Sequence, residues 1–556
     1  MSHLLTLHDP SIARENYLSG IWQTDTLYSL ARWHATERGN AHAVRDPSRR
    51  LTWSALVGWV DALAADLHEA GLRRGDRVSI WLPNRLESVV ILLACSRNGY
   101  VCNPSLHQNY TVSEIAALLT RIECRALFAQ PGYGSDAETA DIFARASDLA
   151  HMKRVYALPS LRMADADLPA SSQPMPMVTH TSVAAPPVST RPDQIVYLAF
   201  TSGTTGTPKG VMHSDNTLLS NGRAMVADWG HDEKAVLLTL SPMSHHIGTV
   251  ALEQALVAGC ELAMHDPSAG ITALDWIVTT GATYVMGVPT HAIDLLHEVD
   301  KRQLQQLGAV KVFYMAGAPI PTEIGRRLLS LGATPQNVYG MTENGSHQYT
   351  KPSDSVDVIT STCGKACKGY EVRLWDPENP DLAAAPGEVG EIGGRGGVLM
   401  LGYFNNQSAT ENSFNSSGWF LSGDLGRFDP QGNLQIVGRK KDLIIRGGHN
   451  IHPAHIEEYA HRHPAVKKAA AFGVADERLG EKVCLALICH AEAPNPQEIL
   501  QHLAGQGLSR FDMPEFFAVV TEFPMTASGK ILKRELVQWV SSGRLRPESI
   551  RYNGVA

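Results

Sequence analysis

Apolar residues along the chain fall into short runs closed by glycine, proline or charged residues. Arg77-Val78-Ser79-Ile80-Trp81-Leu82 and Ile195-Val196-Tyr197-Leu198-Ala199-Phe200 have the length and bounding residues of buried strands. Between such runs, Ser54 to Ala70 and Leu86 to Asn98 place apolar residues at helical spacing, which predicts an α/β chain whose sheets are covered by helices. Residues 160 to 192 break the pattern. They are rich in Ala, Pro, Ser and Met, include Pro186-Pro187, and predict a connecting segment over the surface. A second change falls at Gly438-Arg439-Lys440-Lys441-Asp442, beyond which about 115 residues carry their own strand and helix signals. A domain boundary is expected there, between a large N-terminal domain of sheets layered with helices (1–438) and a small α+β C-terminal domain (442–556).

A length of 556 residues exceeds one ordinary core and agrees with several lobes. With 44% hydrophobic and 19% charged residues and a formal net charge of -8, the chain has no general attraction for nucleic acid or anionic membrane. Small molecules are the expected partners. No uninterrupted apolar run approaches 18 residues, and Met-Ser-His-Leu-Leu-Thr lacks the basic and apolar regions of a signal peptide, so a cytoplasmic protein is expected. The eight cysteines are scattered without disulfide-like density, which predicts reduced thiols. Cys363 and Cys367 have no second Cys/His pair at zinc spacing.

Directly after the strand ending at Phe200 stands Thr201-Ser202-Gly203-Thr204-Thr205-Gly206-Thr207-Pro208-Lys209-Gly210. Glycines let backbone amides approach an anion, hydroxyls donate further hydrogen bonds, and one lysine supplies charge, so the string can cradle phosphates. A generic Gly/Thr loop shares this composition, and the order is not that of the Walker loop. With Gly210-Val211-Met212-His213-Ser214 following, the string resembles the signature of the acyl-CoA synthetase, luciferase and peptide-synthetase adenylation superfamily. The resemblance implies that Thr201 to Gly206, with Lys209, hold the β- and γ-phosphates of ATP.

Further motifs follow in the superfamily's order, over roughly residues 25 to 540. Pro242-Met243-Ser244-His245-His246-Ile247-Gly248 resembles the element that puts an aromatic or histidine side chain, here His245, at the gate between carboxylate and thiol. Gly317-Ala318-Pro319 resembles the wall beside adenine. In Tyr339-Gly340-Met341-Thr342-Glu343, the resemblance implies that Tyr339 lies on the adenine, Thr342 bonds the α-phosphate, and Glu343 gives a hard oxygen to Mg2+. Asp424 and Arg439 resemble the ribose-binding pair, an ionised Asp being able to accept from both hydroxyls of a vicinal diol. Gly447 and Gly448 would line the pantetheine tunnel, and Lys530, in Pro524-Met525-Thr526-Ala527-Ser528-Gly529-Lys530, would be the catalytic lysine. One residue departs from the pattern: His455 stands where the superfamily has Glu, in the first turn of the helix expected after Pro453, which puts the usual anchoring of that helix in doubt.

Attack of a carboxylate on the α-phosphorus of ATP meets charge repulsion, and diphosphate leaves with added charge. Lys209, Lys530 and Mg2+ held through Glu343 meet that charge without a protein nucleophile. Thiol attack by coenzyme A then needs Lys530 withdrawn, which the resemblance assigns to a swing of a mobile C-terminal domain about a hinge at 439–441, centred on Lys441. The resemblance puts the acid pocket around Trp229, His245, His246, Gly317, Met341, Gly345 and Ser346, and Gly345 leaves width there. The tracts Ala94 to Tyr100 and Met341 to Thr350 look most like ligases for cyclohexanecarboxylate and related cyclic acids, with loading of a carrier protein or activation of medium-chain aliphatic acids as alternatives. No acid lies between Leu240 and Leu252 to meet an amino-acid ammonium, and no obligate protein partner is implied.

Overall fold

The computed structural model describes residues 9–160, 168–177, 185–201, 208–318, 320–490, 492–525 and 531–552. Contacts divide the chain into two compact units, one of Met1–Val372, Gly394–Phe414 and Gly432–Leu434, the other of Arg373–Gly393, Asn415–Gln431 and Gln435–Ala556.

The larger unit carries a seven-stranded and a nine-stranded sheet. In the first, Arg77–Trp81 runs parallel to Val101–Asn103 and to Ala126–Ala129. All five residues of Arg77–Trp81 are buried, as a strand covered on both faces requires. The cover includes the helix Glu87–Asn98, every residue of which is buried and which stops at Gly99 in the left-handed conformation (φ 72°). The segment expected only to connect also supplies structure: Gln173–Pro174 extends the sheet edge beside Tyr156 and Ala157, and Trp59 Nε1 donates to the Pro176 carbonyl at 2.7 Å. Such an edge uses backbone groups, so no side-chain periodicity announces it.

At the opposite end of this sheet, β1 (Ile195–Thr201) and β2 (Lys209–Ser214) form an antiparallel pair with Thr201 opposite Lys209. Ser214 then caps α1 (Asp215–Trp229) by accepting from the Thr217 amide. Helix α2 (His246–Ala258) lies against α1 so closely that a Cβ at Gly222 would sit 2.9 Å from the Cβ of Glu253. In the nine-stranded sheet, β3 (Val312–Ala316) pairs in parallel with β4 (Thr334–Met341), and β5 (Gly345–Tyr349) returns antiparallel.

Strands β6 (Phe420–Phe428) and β7 (Leu434–Arg439), of the smaller unit apart from Leu434, are neighbours in a four-stranded sheet. A second sheet contains the hairpin β8 (Ile444–Arg446) and β9 (His449–Ile451) and the long antiparallel pair Val466–Asp476 and Gly480–Cys489. Helix α3 (Pro453–His461) begins with proline in its first turn and buries Ile456 in this unit's core with Leu485 and Leu503. All eight cysteines are free thiols. No helix among the described residues is long and apolar enough to cross a membrane.

Candidate active site

Strand β2 is held on both edges. Its outer edge takes residues 401–404, with Met212 N donating to Gly402 O (3.0 Å), Leu401 N to Met212 O (2.8 Å) and Phe404 N to Gly210 O (2.7 Å). This ladder fixes Tyr403 over the base of the β1–β2 hairpin. The Lys209 ammonium sits 4.7 Å from the centre of the Tyr403 ring. The phenol donates to Glu343 Oε1 at 2.9 Å. A cation, a ring and a carboxylate therefore stand in a row, with the ring face favouring the cation. Burial, followed by the Glu343 charge and hydrogen bond, pushes the Tyr403 phenol well above its ordinary range, so it remains a donor.

The β4–β5 turn carries Tyr339 to Ser346. A Cβ at Gly340 would meet the Gly345 carbonyl, so glycine is required by the close approach of the two strands. Gly345 has φ +58°, and a Cβ there would lie 2.7 Å from Asn221 Oδ1. Asn221, on α1, grips both sides of Ser346: its Oδ1 accepts from Ser346 N (2.9 Å) and its Nδ2 donates to Ser346 O (3.0 Å). Met341 N donates to Asn344 Oδ1 at 3.1 Å, and Met400 N to Glu343 O at 2.7 Å. The Tyr339 ring packs edge-on against His347 at 5.4 Å.

Thr342 is held by a histidine. His213 Nε2 lies 2.7 Å from the Thr342 carbonyl, and its Nδ1 faces Thr217 Oγ1 at 3.0 Å. Burial lowers His213 to about 4, so the ring is neutral, and its Nε2 carries the hydrogen because a carbonyl only accepts. His246 stacks on His213 (5.6 Å, 19°) and places Nδ1 3.2 Å from the Tyr197 hydroxyl. Burial, then His213, lowers His246 to about 3. His245 immediately precedes α2, its ring 4.7 Å from that of His107. Thr201 ends β1 opposite Lys209, Gly317 (φ +88°) follows β3 with Ala318 exposed after it, and Trp229 is buried at the end of α1. Ser202, Gly203, Thr204, Thr205, Gly206 and Pro319 lie outside the described residues.

In the smaller unit, Asp424 on β6 and Arg439 ending β7 form an ion pair, Nε to Oδ1 at 3.1 Å. Glu391 accepts from Gly423 N (3.2 Å) and from Lys440 Nζ (2.9 Å). Lys441 lies in the single helical turn Lys440–Asp442. Gly447 (φ 59°) and Gly448 (φ 84°) make the β8–β9 turn, and Gly447 N donates to Leu479 O at 2.7 Å. With His455 in place of an acid, α3 is anchored two residues later: Glu457 accepts from Ala471 N at 2.8 Å and pairs with Lys533 at 2.7 Å. Lys530 lies outside the described residues.

The AMP-binding enzyme family matches residues 31–404, and the AMP-binding enzyme C-terminal domain matches 455–530. The chain belongs to this family. It is an enzyme of the adenylate-forming superfamily that contains the acyl-CoA synthetases. Among its relatives, the Escherichia coli medium-chain fatty-acid–CoA ligase is 28% identical over 92% of this chain and 90% of its own length. The human mitochondrial medium-chain acyl-CoA ligase is 30% identical over 88% and 82%. The ATP-bound crystal structure of MatB from Rhodopseudomonas palustris superposes with a TM-score of 0.78 at 28% identity, covering 93% of this chain and 99% of that one. Its likeness agrees with the expected α/β fold.

Four residues that pack beside the candidate site carry no assignment from motif reading. Tyr403 sits in Gly402-Tyr403-Phe404-Asn405-Asn406, where a glycine before two aromatics is a usable signal. His213 lies within the phosphate-loop string but has no role there until its carbonyl partner is seen. Asn221 and Glu253 lie on helices, and their only signal is polarity at positions that the helical period turns inward.

Proposed function

We propose that this adenylate-forming enzyme is an acyl-CoA ligase, converting ATP, a carboxylic acid and coenzyme A to acyl-CoA, AMP and diphosphate through an acyl adenylate. The observation that carries the reading is the row Lys209–Tyr403–Glu343, which ties the lysine at the base of the phosphate loop to the carboxylate beside Thr342. Lys209 and the loop from Thr201 to Gly206 orient the β- and γ-phosphates, Tyr339 and Gly317-Ala318-Pro319 bracket adenine, and Asp424 with Arg439 holds ribose. The Thr342 hydroxyl meets the α-phosphate, its backbone steadied by neutral His213. No group of three His, Cys, Asp or Glu able to hold a metal occurs among the described residues. Mg2+ takes one or two carboxylates and completes its shell with water and substrate phosphates, so the Glu343 carboxylate, oriented by the Tyr403 hydroxyl, fits as its protein ligand. When bound there, the ion neutralises phosphate charge. Lys530 supplies a further positive charge for adenylation, and Lys441 is the hinge about which Lys530 withdraws while Gly447 and Gly448 come to pass pantetheine, with His245 as gate.

The acid is read as a compact cyclic one, bounded by Trp229, His246, Met341, Gly345 and Ser346. Support comes from the bulk of buried Trp229 and from the resemblance to cyclic-acid ligases in Ala94 to Tyr100 and Met341 to Thr350. A medium-chain aliphatic acid is the second reading, favoured by the names of the E. coli and human relatives. Rapid-quench measurement of both half-reactions tests the scheme. Wild type should make thioester from ATP, coenzyme A and cyclohexanecarboxylate faster than from octanoate or palmitate. Lys530→Ala should slow adenylation about 100- to 1,000-fold while leaving thioester formation from supplied acyl adenylate near wild type. Equal slowing of both steps would overturn the alternating arrangement, and absence of thioester with every acid would overturn the ligase reading.

A further inference from the structure

The inward face of α2 carries an acid that the scheme above does not use. Glu253 follows His246 and Thr249 at helical spacing, so the three share one face. Among the described residues, both of its carboxyl oxygens are buried without a hydrogen-bond partner, and the residue is 0% exposed. Its neighbourhood is fixed from two sides. Its Cβ abuts Gly222, next along α1 from the Asn221 that grips Ser346. One turn back along α2, Thr249 Oγ1 reaches the Tyr197 hydroxyl at 3.4 Å, the same hydroxyl that faces His246. Opposite, the Tyr314 hydroxyl bonds Ser346 Oγ at 2.8 Å. Burial raises both the Tyr197 and the Tyr314 phenol, so each stays a hydrogen-bond donor. Glu253 thus shares its helix face with His246 and abuts the α1 residue next to the Asn221 that grips Ser346, two of the residues that the proposed function puts around the acid.

An acid buried with both oxygens unpaired is costly, and the cost is removed when a ligand supplies the missing partners. We infer that Glu253 recognises an oxygen substituent, a hydroxyl or oxo group, carried by the substrate acid away from its carboxylate. Burial pushes the Glu253 carboxyl well above its usual range and no cation pairs with it among the described residues, which favours the protonated form, able both to donate and to accept. A hydroxyl or ketone complements that; an ammonium would demand a charge pair in a dry site. This rests on the placement of the acid pocket in the proposed function and adds the class of substrate.

The test uses the full chain with ATP, Mg2+ and coenzyme A, measuring thioester formation for matched acids: cyclohexanecarboxylate against its 4-hydroxy, 4-oxo and 4-amino derivatives, and octanoate against 8-hydroxyoctanoate. On whichever skeleton is used, the oxygenated acid should have kcat/KM about 100-fold or more above the plain one, since a site built to bond a polar group discriminates strongly against its absence. Glu253→Met should bring that ratio to within about fivefold. Glu253→Gln, which still donates and accepts, should keep most of the preference. Equal use of plain and oxygenated acids by wild type, preference for the amine, or an unchanged ratio in a folded Glu253→Met would overturn the inference. If the Met variant does not fold, the wild-type ratio decides. The choice of skeleton bears on the cyclic-acid reading separately, so either can fail alone.

Discussion

The two units handle their charged pairs differently. In the larger, Tyr403 links Lys209 and Glu343, giving its ring face to the cation and its hydroxyl to the carboxylate. In the smaller, Asp424 meets Arg439 directly at 3.1 Å and Glu391 meets Lys440 at 2.9 Å. Direct contact cancels charge. Opposite charges about 4 Å apart near a protein surface interact by about 4 kcal/mol, which an incoming ion would have to displace. A phenol orients a carboxylate without bringing an opposite charge to it, and in the proposed scheme Glu343 serves a cation that arrives with the nucleotide. Asp424 serves a neutral partner in the proposed scheme, a sugar hydroxyl, and an arginine that fixes one of its oxygens does not compete with that task.

The comparison breaks first at Glu343. Glu343→Gln keeps the shape and an acceptor for Tyr403 but removes the charge, and should lower the rate of adenylate formation about 100- to 1,000-fold. A loss under about fivefold in burst-phase measurements would show that this carboxylate does not serve the phosphates. Asp424→Ala comes next. Each charged hydrogen bond lost costs roughly 1.5–3 kcal/mol, so ATP KM should rise by about 10- to 100-fold with a smaller effect on kcat. Unchanged ATP affinity in the folded variant would remove Asp424 from the ribose site. The smallest effect is expected at Tyr403. Tyr403→Phe keeps the ring over Lys209 and deletes only the bond to Glu343, which should cost about tenfold in adenylation. If it cost as much as Glu343→Gln, the phenol would be acting on substrate rather than on the carboxylate.

Much of the fold was readable because its signals are local. The strand at Arg77–Trp81 and the helix at Glu87–Asn98 each stand within a residue or two of their apolar patterns. The segment 160–192 shows where such reading stops, since its edge strand is made by backbone pairing alone. At α3, the sequence shows that His455 replaces an acid, while only packing reveals that Glu457, one turn from the helix start, takes over the anchoring.

The sequence by itself determined the class of fold, the family and the order of its motifs, because phosphate-binding loops and tight turns require particular residues in consecutive positions. The tertiary structure decided which distant residues complete them. Tyr403 reaches Glu343 because β2 accepts residues 401–404 on its outer edge, His213 holds Thr342 across 129 positions, and Glu253 faces inward because Gly222 lets two helices close. Such partners share no spacing in the chain, for a hydrogen bond or a packed face depends on distance in space, and that is fixed only when the sheets and helices have met.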